Sequence, residues 1–184
     1  GTGLHPLRGQ NNVQGASDMG ALPNKLTGFQ DVEDDEVRAK FEAYWGKELD
    51  SKAGLTVVEI TEAIYEDKIR GMYVMGENPA MSDPDANHAR GALAKLDHLV
   101  VQDLFMTETA AYADVILPAS AFPEKDGTFT NTDRRVQLGR AALPLPGDAR
   151  QDWWIIQEIA NRFYLEWEYT HPRDVFAEMN GCMP

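Results

Sequence analysis

Three short apolar runs, Gly71 to Met75, His98 to Val101 and Asp114 to Leu117, alternate with helix-forming segments near Pro84 to Leu96 and Thr107 to Tyr112. Strands separated by helices pair in parallel, and right-handed crossovers then lay the helices against the sheet. Each run is apolar through its length, as expected of strands covered on both faces. The pattern predicts an α/β fold: a three-layer, dinucleotide-binding-like domain with a mostly parallel sheet. Ligands of such sheets gather outside the carboxyl ends of the strands. Here those ends are Gly76-Glu-Asn-Pro79, Gln102-Asp103 and Pro118-Ala-Ser120, where polar residues cluster.

The remaining segments arrange themselves around this core. Residues 1–30 are rich in Gly, Asn, Pro and amides, with a short helix expected over Val13 to Met19, and they read as an irregular, ligand-facing segment. Residues 31–121 are expected to form the α/β domain. Its first helices fall near Glu33 to Trp45 and Thr56 to Asp67, the second with a buried stripe of Val58, Ile60, Ala63 and Ile64. Thr56 followed by Glu59 has the spacing of a capping box. Residues 122–150 change rhythm: Gly127-Thr-Phe-Thr130 and Arg135-Val-Gln-Leu138 flank the turn-rich Asn131-Thr-Asp-Arg134 and predict a β-hairpin excursion. Residues 151–184 are expected to supply helices that pack on the α/β domain. One begins at Asp152 and runs through Trp153, Ile156, Ile159, Ala160 and Phe163; the last spans Pro172 to Met179.

Composition excludes several function classes. A formal charge of −13 and a pI near 4.6 leave no basic stripe to neutralise phosphates, which argues against nucleic acid as a partner. The densest acidic run, Asp31-Val-Glu-Asp-Asp-Glu36, lies where a helix starts and favours the positive end of its dipole. The single cysteine, Cys182, permits neither an internal disulfide nor a cysteine cluster for iron–sulfur or zinc, and reads as a non-functional thiol. His5, His88, His98 and His171 have no metal-ligand spacing, so no metal-ligating residue is assigned. No apolar run reaches the roughly 20 residues of a membrane span.

The segment Arg8-Gly-Gln-Asn-Asn-Val-Gln-Gly-Ala-Ser-Asp-Met-Gly20 combines a cation, several amides and three glycines while offering little to bury. On its residues alone it is either a polar-ligand loop or a surface loop before a short capped helix. Its wording resembles the molybdopterin-dependent formate dehydrogenases, the large catalytic subunits within the dimethyl sulfoxide reductase family. The resemblance continues in order through Gly71-Met-Tyr-Val-Met-Gly-Glu-Asn-Pro79, Leu99-Val-Val-Gln-Asp-Leu-Phe-Met-Thr-Glu-Thr109, Ala113-Asp-Val-Ile-Leu-Pro118, Glu124-Lys-Asp-Gly-Thr-Phe-Thr-Asn-Thr-Asp-Arg134 and Asp152-Trp153. It covers nearly the whole chain, which is far shorter than such a subunit and is therefore expected to be an internal fragment.

The resemblance implies roles residue by residue. Gly76, Asn78 and Ser82 match a contact to molybdopterin guanine dinucleotide; on sequence alone the same loop is simply a turn. Gln102 and Asp103 match a ribose-facing strand end, the alternative for Asp103 being a cap of the next turn. Asp152 matches an aspartate reaching the guanosine, where a carboxylate can accept from both the ring N–H and the exocyclic amine; its alternative is a helix N-cap. Ala119 matches a position that often carries serine, so its contact would be through backbone. Gln10 matches a residue near the pterin. Arg8 matches the arginine that orients the formate carboxylate beside the metal, and its alternative is a surface arginine paired with one of the many carboxylates.

The implied parent activity is oxidation of formate to carbon dioxide at a molybdenum or tungsten centre held by two molybdopterin guanine dinucleotides, with electrons leaving through iron–sulfur clusters. The expected partners are formate, the remainder of the parent chain, and iron–sulfur or NAD-reducing subunits. The fragment lacks cluster cysteines and the metal's thiolate or selenolate ligand, so it is expected to be apo and inactive alone, in a cytoplasmic parent. The hairpin belongs to a neighbouring domain in the family; without that partner it is expected to be extended or poorly packed, or to be satisfied by another copy of the chain. Two other readings stand beside this one. One is a nitrate reductase-like molybdopterin enzyme, which the Arg8-Gly-Gln-Asn-Asn wording disfavours; the other is a cofactor-less structural homologue such as the large iron–sulfur subunit of complex I.

Overall fold

The computed structural model describes residues 9–183. In chain order its elements are α1 (Val13–Asp18), β1 (Lys25–Leu26), β2 (Gln30–Asp31), α2 (Asp35–Trp45), α3 (Val57–Tyr65), β3 (Gly71–Met75), α4 (Pro79–Ser82), α5 (Ala86–Leu93), β4 (His98–Asp103), β5 (Val115–Pro118), β6 (Gly127–Thr130), β7 (Val136–Gly139), α6 (Asp152–Arg162) and α7 (Pro172–Cys182). Two 3₁₀ turns, Ala110–Tyr112 and Phe122–Glu124, flank β5. The chain divides into two units: the described residues up to Gly54 with Asp126–Arg140 and the described residues from Tyr169 on, and Leu55–Lys125 with Ala141–Glu168.

In the first unit α2 is set by its ends. Asp34 accepts from the N–H groups of Glu36 and Val37, Asp35 and Glu36 add negative charge to the first turn, and Gly46 closes the helix at φ +64°. Phe41 is fully buried and meets Trp45 edge to face, with centroids 4.9 Å apart. Helix α7 packs against α2. The C-terminal helices were expected on the α/β layer, but α7 joins this unit instead, as do residues 31–54. Gln30 Nε2 donates to the Cys182 carbonyl at 3.1 Å and Lys40 Nζ to the Met183 carbonyl at 3.3 Å, tying the end of α7 to this unit, and local bonds shape its start. The His171 ring accepts from Arg173 N–H at 3.1 Å, the Asp174 carboxylate accepts from His171 N–H at 3.0 Å, and the Tyr169 phenol donates to Glu178. Burial, with the bond and charge of Glu178, pushes the Tyr169 phenol up to about 12. Cys182 is fully buried, which raises its thiol, as fits an unreactive packing residue.

The hairpin β6–β7 forms as expected, antiparallel with Thr130 opposite Val136. Contrary to expectation, it has a partner within the chain. Helix α1 lies against β6, and the Thr130 N–H donates to the Asn12 carboxamide at 2.8 Å. Thr130 is buried there, whereas Val136 and Leu138 stay exposed.

In the second unit β3, β4 and β5 form a parallel sheet in that order, pairing Met75 with Gln102 and Gln102 with Leu117. One face is the core: Val74, Leu99 and Val101 pack with Ala80 of α4, Leu93 of α5 and Ala110. Helix α3 packs on α5, where Tyr65 stacks on His88 at 4.4 Å and donates to its carbonyl oxygen. The capping box is present, with Glu59 accepting from Thr56 N–H at 2.8 Å. Ala63 and Ile64 are buried, but Val58 on the first turn is exposed. On α6 the buried residues are Ile155, Gln157 and Ala160, while Phe163, expected to lie within the helix, is its exposed C-cap.

The helix expected near Pro84 to Leu96 is present as α5, and a further short helix, α4, precedes Pro84. Pro84 forces Asp83 into an extended conformation, which ends α4, and Asp85 starts α5 by accepting from His88 N–H. Leu99 is 1% exposed at the centre of the core. Leu99→Ala is therefore expected to destabilise this unit by about 2–5 kcal/mol, measured by urea denaturation; a loss below about 1 kcal/mol would contradict this packing.

Candidate functional site

Parallel pairing brings the carboxyl ends of the three strands level. Gly76 N–H donates to the Gln102 carbonyl at 2.9 Å, and Ala119 N–H to the Asp103 carbonyl at 3.0 Å. At the end of β4 the Gln102 side chain is 0% exposed, so its amide must be paired. Its Oε1 accepts from the Tyr73 phenol on β3, and its Nε2 donates to Asp152 Oδ1 at 2.8 Å. The other Asp152 oxygen, Oδ2, accepts from Lys125 Nζ, which also donates to the Ser120 carbonyl at 2.9 Å. A single network thus joins a strand end, the first residue of α6 and the segment after β5.

The predicted residues sit as follows. Gly76 adopts φ +64°, and a Cβ added there would meet nothing within 4 Å, so the backbone is open on that side. Asn78 is committed within the loop: its Oδ1 accepts from Thr109 N–H and Oγ, and its Nδ2 donates to Glu108 at 2.7 Å. That bond holds the Glu108 carboxyl below its ordinary range. Ser82 donates to Glu77 at 2.8 Å, and the same Glu77 oxygen accepts from Asn78 N–H. Asp103 accepts from the adjacent Leu104 N–H at 2.6 Å. Ala119 is buried, with its N–H taken by Asp103.

Asp152 is the first residue of α6 rather than its N-cap, which is Gln151. Gln10 is exposed in the other unit, and Arg8 lies outside the described residues. Of the amides in that opening segment, Asn12 is used by Thr130 and Gln14 by Asp18. Among the described residues no group of three or more His, Cys, Asp or Glu could hold a metal, and no helix is long and apolar enough to cross a membrane.

Sequence reading gave Tyr73 and Lys125 no role and named Ser120 only as part of a polar strand end. Tyr73 passes for a strand residue, and Lys125 meets Asp152 across 27 residues of chain. Only the quoted Glu124-Lys125 wording pointed there.

A family model described as Molybdopterin oxidoreductase matches residues 3–162. The chain belongs to that family. It is 55% identical over all 184 residues to YrhE of Bacillus subtilis (strain 168), a candidate formate dehydrogenase by name, and 50% identical to a candidate formate dehydrogenase of Staphylococcus aureus (strain USA300). In both cases it spans 19% of the relative's length. Acetylene hydratase from Pelobacter acetylenicus shares the fold, with TM-score 0.56 and 22% identity over 71% of this chain and 19% of that one. The molybdopterin oxidoreductase family implies an oxidoreductase parent that carries a molybdopterin. The strand ends suit such a group: Gly76 leaves backbone open, the buried Ser120 Oγ has no hydrogen-bond partner, and Asp152 offers a carboxylate.

The Tyr73 phenol titrates above its ordinary 10.0, because of burial first and the Asp152 charge second. Its raised value contributes stability that is complete below the unfolded-chain pKa and lost as pH rises through the folded one. Asp152→Asn is expected to move the Tyr73 titration down but leave it above the ordinary value, followed by phenolate absorbance or NMR. An unmoved titration would contradict the network.

Proposed function

We propose that the full-length protein is a formate dehydrogenase and that this chain supplies part of its cofactor cradle. The observation that carries the cradle is the buried Gln102 amide, which holds Asp152 at the strand end whose backbone carbonyl accepts from Gly76 N–H. The names of relatives 50–55% identical over the whole chain support formate as substrate.

In this reading the chain contacts the guanosine and phosphate end of a molybdopterin guanine dinucleotide. Asp152 accepts from the guanine edge and Asp103 faces the ribose, while Gln102, matched to a ribose-facing position but buried with both side-chain polar atoms paired, holds Asp152 instead of touching the ligand. Gly76 gives phosphate close backbone approach. Asn78 and Ser82 exchange the exposed carboxylates of Glu108 and Glu77 for phosphate oxygens. Ala119 contributes through backbone alone, and Gln10 faces the pterin. When bound, the pterin-held molybdenum or tungsten supplies the two-electron redox chemistry. Arg8 binds the formate carboxylate with both arms of its guanidinium, which fixes the direction of the C–H bond and offsets the substrate's charge. Electrons leave through iron–sulfur clusters whose cysteines lie elsewhere in the parent, towards iron–sulfur or NAD-reducing subunits.

The test is formate-dependent reduction of an artificial acceptor by the full-length protein. Turnover is expected for the wild type, with a loss of about a hundredfold or more in kcat/KM for Arg8→Ala, and none for the 184-residue chain alone. Turnover of nitrate but not formate, or an Arg8→Ala variant as active as wild type, would overturn the reading.

A further inference from the structure

An ionised carboxylate has about four acceptor sites, two on each oxygen. At Asp152 each oxygen already has one partner: Oδ1 takes Gln102 Nε2 and Oδ2 takes Lys125 Nζ. The side chain nevertheless remains 29% exposed, as does that of Lys125. The two partners are themselves fixed. The Tyr73 phenol occupies Gln102 Oε1 and so decides which way the buried amide faces, and Lys125 is tied to the Ser120 carbonyl. The carboxylate is therefore gripped from both sides, so it neither rotates freely nor fills all its acceptor sites.

We infer that Lys125 and Tyr73 are positioning residues that set base selectivity, holding Asp152 with one acceptor site free on each oxygen for a ligand edge carrying two adjacent N–H groups. This inference rests on the guanosine reading of Asp152. Guanine presents such an edge in its ring N–H and exocyclic amine. Adenine presents an acceptor beside a donor, which places a lone pair against a carboxylate oxygen held in this orientation. Losing either grip lets the carboxylate turn and weakens the discrimination, with little change in the affinity shared by the two bases. On this inference the lysine does not compete with the base, since Oδ2 has two acceptor sites and Lys125 takes one of them.

The experiment is calorimetric or NMR titration of the 184-residue chain with GDP and with ADP. It compares wild type, Lys125→Met, Tyr73→Phe, Asp152→Ala and the control Lys68→Met. The control removes an exposed charge paired with Glu66, away from the network. Wild type is expected to bind GDP near the millimolar level and about tenfold more tightly than ADP, a difference of about 1.4 kcal/mol. Lys125→Met and Tyr73→Phe should each reduce that ratio to about twofold or less with ADP affinity unchanged, Asp152→Ala should abolish it, and Lys68→Met should keep it.

A ratio unchanged in both Lys125→Met and Tyr73→Phe would overturn the inference while leaving the guanosine reading intact. Tighter GDP binding by Lys125→Met would overturn it too, by making the lysine a competitor. No guanine preference in wild type, or one that survives Asp152→Ala, would remove the guanosine reading and the positioning role with it. Circular dichroism of each variant separates unfolding from lost selectivity, and Tyr73→Phe tests the grip from the opposite oxygen if Lys125→Met does not fold.

Discussion

A primary amide removed from water must find partners for both its oxygen and its nitrogen, and Gln102 at the end of the central strand is such a group. Its oxygen is met by Tyr73 from the adjacent strand and its nitrogen by Asp152 from the start of α6. The requirement links the sheet to a helix 50 residues further along the chain. Parallel pairing puts Gln102 level with Met75 and Leu117, so the residues that satisfy it stand where loops carry ligands in this class of sheet. Core packing on one face therefore positions polar chemistry at the strand ends. The opposite face, which carries Gln102, also carries Tyr73, Met75 and Val115, and those three are exposed.

Acidity acts locally as well as globally. In the Gly76 to Ser82 loop the donors that would meet an anion are occupied by the chain's own carboxylates, Glu77 and Glu108. Exposed pairs of this kind contribute little to stability and exchange readily with solvent or ligand. The Asp152 pair differs, because its partners are anchored at their far ends and the carboxylate is mostly shielded. The loop is thus adjustable and the carboxylate fixed, a division suited to a ligand with a flexible phosphate part and a rigid base.

Much of the fold was legible from local pattern. The apolar runs at Gly71 to Met75 and His98 to Val101 are strands because short apolar segments bounded by turn residues have few other uses. The Thr56–Glu59 box formed because its logic is contained within four residues. The helix expected after Pro84 formed as α5, while the short helix α4 just before that proline was not anticipated. The association of α7 with α2, and of the hairpin with α1, was not legible, since contacts between distant elements leave no periodic trace. The same holds at the site. Gln102 and Asp152 stood out by motif and meet directly, whereas Tyr73 and Lys125 had no local signal because their roles depend on partners 29 and 27 residues away. Ser120 was legible as part of a polar strand end, but the burial of its hydroxyl without a partner was not.

The most direct measurement is a crystal structure of the chain with GMP bound. The guanine ring nitrogen and exocyclic amine should lie about 2.7–3.2 Å from the two Asp152 oxygens, with the Gln102 and Lys125 bonds to that carboxylate retained. A nucleotide bound away from the ends of β3, β4 and β5, or one that reaches Asp152 only by displacing Lys125, would contradict a preformed guanosine site at the strand ends.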